Sequence, residues 1–291
     1  MNTTTEKKSI PVSFEVFPPK KDGEFEAAFA TLDKLGALAP AFISVTYGAG
    51  GSNSGKTVEI ASYIQNRLKL PALAHITCVG SRREALQNVV SALKEAGVTH
   101  VLALRGDRPR DMTDEQFAAR DFEHASDMIA YLKELDPALH ISAACYPEKH
   151  YECFSMQSDL GYLKLKQDAG ARDLISQMFF DNDCFYEFQD KARRKGITLP
   201  IHAGIMPVTS AGQLGTSISL SGATIPKALA DMIARYGDSR EDMRKAGIDY
   251  AVRQIIDLEQ NGVDGIHIYT MNRPRMAAEI METIRPHHRV S

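Results

Sequence analysis

Eight short runs rich in β-branched and apolar residues recur along the chain, separated by stretches with helical apolar spacing. The runs read VSFEVF, FISVTY, ALAHITCV, HVLALR, HISAACY, RDLISQMFF, PIHAGIMPV and GIHIYT. Between them lie segments such as EFEAAFATLDKLGAL, REALQNVVSALKEAG and DLGYLKLKQDAG, whose apolar residues repeat at the helical period. Several of these segments stop at a glycine, as in KEAGVTHV and QDAGARDL, where a residue without a Cβ turns left-handed and leads into a strand. Strands that alternate with helices pair in parallel, because each helix carries the chain back to the starting edge of the sheet. Eight such units in 291 residues match a (β/α)8 TIM barrel, typically about 250 residues plus insertions. An open α/β sheet of about six or seven strands is the competing architecture. The expected organisation is one barrel domain over residues 1–291 with an insertion before the eighth strand, where TSAGQLGTSISLSGATIPKALADMIARYGD delays GIHIYT.

Composition narrows the partners. A hydrophobic content of 44% with 24% charged residues is that of a globular protein with a substantial core. A net charge of −3 and the lack of a dense basic stretch argue against nucleic acid. No apolar run approaches membrane-spanning length, and MNTTTEKKSIPVSF has no signal-peptide core. Cys78, Cys145, Cys153 and Cys184 form no C-x-x-C pair, so neither a zinc site nor a disulfide framework is indicated. A cytoplasmic protein acting on small molecules is the expectation.

One motif competes for attention. GAGGSNSGKT, residues 48–57, matches the phosphate-binding pattern G-x-x-x-x-G-K-[ST] and sits between a strand and a helix. Such short patterns arise by chance, and the glycines equally make a tight strand-to-helix turn. An NTPase also needs a metal-binding acid at the end of another apolar strand; Asp181 after LISQMFF is the nearest, and Ser176 and Gln177 interrupt that strand.

In a barrel enzyme the chemistry sits at the carboxyl ends of the strands. Those ends carry Glu15, Thr46, Tyr47, His75, Thr77, Arg105, Asp107, Tyr146, Gln177, Tyr269 and, just beyond, Arg273. Polar groups in positions that otherwise read as apolar strand need a partner or a function.

In order and spacing, SFEVFPPK, ISVTYGAGGS, HITCVG, LALRGDRP, AACYPEKH, DLGYLKLKQDAGA, ISQMFFD, GIMPV and HIYTMNR resemble the methylenetetrahydrofolate reductase family. The resemblance runs from about residue 11 to residue 284, and its motifs are jointly specific. It makes GAGGSNSGKT the second strand-to-helix loop and the P-loop match an accident. It implies a (β/α)8 flavoprotein that reduces 5,10-methylenetetrahydrofolate to 5-methyltetrahydrofolate by a ping-pong route, with FAD as hydride carrier and NADH or NADPH as donor. A chain ending soon after the last barrel helix resembles the short, catalytic-domain-only members, and relatives of this kind usually form homo-oligomers.

By the same resemblance, Glu15 is the general acid, Asp107 lies beside flavin and pterin, and Gln177 donates and accepts hydrogen bonds to the substrate. A carboxyl buried at the position of Glu15 is held protonated by desolvation; an ordinary buried glutamate paired with Arg or Lys is the other reading of the residue by itself. Asp107, taken alone, reads equally as a cap for the helix that follows. The flavin site carries over to Thr46, Tyr47, Ala49, His75, Arg105, Gly106, Asp107, Ala125, Tyr146, His150, Asp159 and Lys166. Arg105, His150 and Lys166 suit a pyrophosphate. Gln213 and Arg273 carry over as further substrate contacts; Arg273 is placed to meet a carboxylate of the folate tail. Ser217 departs from a phenylalanine found in some members, and strand seven begins with His202 and Ala203 where relatives are more apolar. Competing functions are another flavin barrel of the proline-dehydrogenase kind and a folate- or flavin-binding protein without catalysis.

Overall fold

The computed structural model describes residues 10–47, 54–79, 81–108, 112–213, 215 and 221–285. Ala49, most of the glycine-rich run and Ser217 lie outside the described residues.

All eight β-rich runs form strands: β1 (Val12–Val16), β2 (Ile43–Val45), β3 (Ala72–Thr77), β4 (His100–Leu104), β5 (His140–Cys145), β6 (Asp173–Ser176), β7 (Ile201–Ile205) and β8 (Gly265–Tyr269). They pair in parallel in chain order, and β8 closes on β1 through Phe14 opposite Ile268 and Glu15 opposite Tyr269. The barrel is closed and the open-sheet alternative is excluded. The sixth strand is shorter than its run suggests. It ends at Ser176, so Gln177 stands in the loop at the strand end rather than in the strand interior.

Helices α1 (Phe25–Gly36), α2 (Ser54–Ser62), α3 (Arg83–Glu95), α4 (Asp114–Ala118), α5 (Ala125–Leu135), α6 (Met156–Asp168), α7 (Asn182–Arg194), α8 (Lys227–Tyr236), α9 (Arg240–Gln260) and α10 (Pro274–Ile284) surround the sheet. The glycine stops behave as their residue type requires. Gly97 and Gly170 follow α3 and α6 with φ of 73° and 112°, which side chains with a Cβ rarely adopt. After each, the next amide reaches back to close the last turn: Val98 N–H donates to the Leu93 carbonyl (2.8 Å) and Ala171 N–H to that of Lys166 (3.1 Å). Within the expected insertion before β8 the described residues include α8, and the 21-residue α9 then leads to β8.

Apolar side chains divide into three unequal sets, one of them a small group of Phe180, Val208, Leu229, Met232 and Met243 where α8 and α9 meet the loops after β6 and β7. The large one lies between the outer face of the sheet and the helices, with Ile43, Ile76, Val101, Ile141, Ile266 and Ile268 meeting residues such as Leu35, Ile64, Leu93, Leu132 and Ile280. Inside the barrel the apolar cluster comprises Leu73, Leu102 and Ile175, with Phe42 and Leu104 against it. The rest of the lumen is polar: Ser13, Glu15, Ser44, His75 and His267 are all buried. Stability and chemistry are thereby assigned to opposite faces of one sheet.

Candidate active site

The P-loop residues are committed elsewhere. Lys56 ion-pairs with Asp22 at 2.8 Å and donates to the Lys20 carbonyl at 2.9 Å, bracing the loop after β1. Thr57 is buried and its hydroxyl donates to the Thr46 carbonyl at 3.0 Å. Asp181, the acid such a loop would need, caps α7 by accepting from Asp183 N–H at 3.0 Å. These three groups serve the fold.

The end of β1 holds Glu15, 8% exposed. Burial raises its pKa above the ordinary carboxyl value, and the charge of a nearby His75 opposes this only in part. No Lys or Arg among the described residues pairs with it. Its neighbours at ion-pair range are two imidazoles, His75 Nε2 and His267 Nε2, each 3.6 Å from the same oxygen, Oε2. Burial lowers His75 to about 4 and His267 to about 3, so both are neutral near pH 7. Flanked by neutral bases in a desolvated pocket, the carboxyl is biased toward its protonated form. Tyr269, on the adjacent strand, donates its hydroxyl to the Ser176 carbonyl at 2.7 Å and stays protonated.

A second centre lies at the ends of β4 and β5. A cavity of about 210 Å³ is lined by Arg105, Ala125, Tyr146, His150, Asp159 and Lys166, six of the residues assigned to the flavin, together with His124, Glu152 and Tyr162. Lys166 is half-buried, donates to the Ala144 carbonyl at 2.7 Å, and lies 5.6 Å from the centre of the Tyr146 ring. Burial lowers its pKa, and Asp159 acts against that shift. His150 accepts from Glu152 N–H at Nδ1 (3.2 Å), so as a neutral ring it carries its proton on Nε2. The Arg105 guanidinium contacts the Glu152 carboxylate and holds it at about 2, while Arg105 Nε is buried without a hydrogen-bond partner. Gly106 turns the chain here with φ of 81°, and a Cβ on it would come 2.8 Å from that of Thr77. The β4 loop is tucked against β3 in a way only glycine permits.

Asp107 follows, exposed at the barrel mouth. It does not cap α4; Thr113 does, accepting from Gln116 N–H at 3.2 Å. Thr46 and Tyr47 are half-buried past the end of β2. Gln177 accepts from Met178 N–H at 2.9 Å through Oε1, which fixes its side-chain amide. Gln213 and Arg273 are brought together by Thr209, whose N–H donates to Gln213 Oε1 at 3.1 Å and whose hydroxyl meets the Arg273 guanidinium. Sequence reading did not single out Glu152, His124, Tyr162 or His267. A His in a run such as GIHIYT reads as core, and the cavity-facing side of α6 is visible only once the helix is docked.

The donor set suits a dinucleotide. Two cations, an orphaned guanidinium nitrogen, an aromatic face and a glycine cradle are what a pyrophosphate and a ring require. The volume is below the about 300–1,000 Å³ of a complete ligand pocket, so this cavity takes one portion of such a molecule. Among the described residues, no group of three or more His, Cys, Asp or Glu is arranged to hold a metal, and no helix is long and apolar enough to cross a membrane.

Comparison with known proteins gives one answer. The family model described as methylenetetrahydrofolate reductase matches residues 1–285. The 5,10-methylenetetrahydrofolate reductases of Pectobacterium carotovorum subsp. carotovorum and Escherichia coli K12 are each 35% identical over 275 residues, covering 94% of this chain and 90% of theirs. Methylenetetrahydrofolate reductase (NADH) 1 of Arabidopsis thaliana is 32% identical, with 97% of this chain spanning 49% of that protein. Among solved structures, an uncharacterized Clostridium thermocellum protein that binds two copies of 5-methyl-5,6,7,8-tetrahydrofolic acid has a TM-score of 0.63 at 12% identity, covering 97% and 96% of the two chains. At that identity the likeness is one of fold.

Proposed function

The chain belongs to the methylenetetrahydrofolate reductase family, and from that membership we propose that it reduces 5,10-methylenetetrahydrofolate to 5-methyltetrahydrofolate with NADH or NADPH as donor, one barrel serving as the whole catalytic unit. The observation that carries this reading is Glu15, a buried carboxyl with neutral imidazoles for neighbours at a barrel strand end. The reaction begins by opening the substrate's five-membered ring to an iminium ion, and the departing nitrogen must receive a proton. A carboxyl ionised at neutral pH has none to give; Glu15, its pKa raised by burial, keeps one.

FAD is the cofactor that fits. Arg105, His150 and Lys166 would hold its pyrophosphate, Asp159 its sugar hydroxyls and Tyr146 a ring face, with Thr46, Tyr47, His75, Gly106, Asp107, Ala125 and, outside the described residues, Ala49 as the remaining assigned contacts. When bound, the flavin supplies hydride transfer between the nicotinamide and the one-carbon unit. The chain's own residues do the rest. Asp107 places a negative charge at the open mouth, where it stabilises the cationic iminium. Gln177, its carbonyl occupied by Met178 N–H, offers its NH2 to the pterin and then to the nicotinamide that replaces it. Arg273, steadied by Thr209 and Gln213, meets the carboxylate of the folate tail.

The test is an anaerobic absorption spectrum of the FAD-loaded protein, first with NADH or NADPH and then with methylenetetrahydrofolate. Bleaching by the nicotinamide and recovery with the folate are expected. Bleaching without recovery removes the folate assignment, and failure to take up FAD removes the flavin assignment as well.

A further inference from the structure

Beneath Glu15 lies a buried chain of polar contacts that no step above uses. Ser13 Oγ is 2.8 Å from His267 Nδ1 and 3.1 Å from the Ile266 carbonyl oxygen. A serine hydroxyl has one proton and a carbonyl can only accept. Both contacts are satisfied when Ser13 donates to the carbonyl and accepts from an N–H on Nδ1. His267 is wholly buried and neutral, so a proton on Nδ1 leaves Nε2 as a bare lone pair. That nitrogen faces Glu15 Oε2 at 3.6 Å and the Ser44 hydroxyl at 3.3 Å.

The tautomer decides what the carboxyl can be. A lone pair on Nε2 accepts from a Glu15 O–H and repels a carboxylate. A proton on Nε2 would donate to the carboxylate and favour ionisation. We propose that His267 is a positioning residue for the reduction: Ser13 fixes it as the Nδ1–H tautomer, and its Nε2 lone pair holds Glu15 as the carboxylic acid. The 3.6 Å separation closes to hydrogen-bond length with a small torsion of the glutamate, as acid–base contacts do when substrate seats. Two other titratable groups face Glu15, and the Ser13 contact at Nδ1 is what sets His267 apart from them. His75, from β3, lies 3.6 Å from the same oxygen and is neutral, its Nε2 held by no hydrogen bond; Tyr269, beside His267 on β8, commits its O–H to the Ser176 carbonyl. Ser44 keeps Nε2 satisfied after the acid has delivered its proton. The inference rests on reading Glu15 as the proton donor.

Two measurements on the full-length protein test it. 15N NMR of histidine-labelled protein at neutral pH is expected to show His267 protonated at Nδ1 and bare at Nε2; the opposite pattern overturns the proposal. The second is the pH profile of the folate half-reaction in flavin-loaded Ser13→Ala, which removes the oxygen that fixes the ring while leaving the imidazole in place. Loss of the tautomer lock lowers the pH at which the acid is lost, so the alkaline limb moves down by about one unit relative to the wild type. The nicotinamide half-reaction of the same variant reports its flavin loading. An unmoved limb overturns the role of His267. Glu15→Gln separates the two readings: if it leaves the folate half-reaction intact, the proton-donor assignment itself has failed, whatever the ring does.

Discussion

The two centres at the barrel mouth contain the same kinds of side chain in opposite states. At the ends of β1, β3 and β8, burial penalises every ion a carboxyl and two imidazoles could form, raising the pKa of the acid and lowering those of the bases. At the ends of β4 and β5, Arg105 and Glu152 are paired as ions beside a half-open cavity, and Glu152 is held at about 2. The difference lies in partner and exposure rather than in residue type. Glu15 meets neutral bases away from water, whereas Glu152 meets a guanidinium with water at hand. One environment stores a transferable proton, the other a fixed charge for a phosphate.

The largest effect that tests this contrast is expected at Glu15. Glu15→Gln keeps the shape and removes the proton, and single-turnover oxidation of reduced enzyme by methylenetetrahydrofolate is expected to slow by about 100- to 10,000-fold, the usual worth of a general acid. A loss of the same size in FAD affinity would merge the two centres into one. Next is Arg105→Ala. Removing a charge-assisted phosphate contact worth about 1.5–3 kcal/mol weakens FAD binding by about 10- to 150-fold, read by quenching of flavin fluorescence, and the loss shrinks as salt is added. Glu152→Gln acts in the other direction. Freed of its carboxylate competitor, Arg105 binds FAD about 2- to 5-fold more tightly, the scale of a partly exposed ion pair; weaker binding would show that Glu152 orients the guanidinium instead.

The smallest effect is a pH-dependent one on stability. The raised pKa of Glu15 means that the folded protein keeps a proton which the unfolded chain releases as the pH rises above 4.5. Stability from this group is therefore present at low pH and declines as the pH climbs toward the folded value. The thermal midpoint of Glu15→Gln is expected to gain on that of the wild type as the pH rises above 4.5. His75 and His267 work oppositely: below their unfolded value of 6.5 the unfolded chain takes up protons that the fold refuses, until about 4 for His75 and about 3 for His267. Wild-type and Glu15→Gln proteins are both expected to lose stability on acidification below pH 6.5, measured by calorimetry.

Much of this was legible in the chain. Alternation gave all eight strands, because parallel strands buried on both faces must be nearly apolar and their crossovers must be amphipathic. Glu15, Arg105 and Tyr146 stood out as polar groups at apolar strand ends. Gln177 was found, but as a residue inside a strand that in fact stops one position earlier, a boundary that apolar content in MFF concealed. His267 and Ser13 were missed because their meaning lies in each other: they are 254 residues apart and only ring closure between β1 and β8 brings them together. Glu152 was hidden in an irregular loop with no period to read. Ala49 and Ser217 fall in segments outside the described residues.

The placement of the apolar core has a consequence for how such a molecule changes over generations. Among the described residues most of the cohesive surface lies between the outer face of the sheet and the helices, and the lumen cluster is Leu73, Leu102, Ile175 and two neighbours. Substitutions inside the barrel therefore draw on a small share of the folding free energy, while those on its outer face draw on most of it. Lineages can exchange a lumen His, Ser or Glu and sample new reactivity with the scaffold intact. The wall conserves the shape, and the bore is where inheritance can be rewritten.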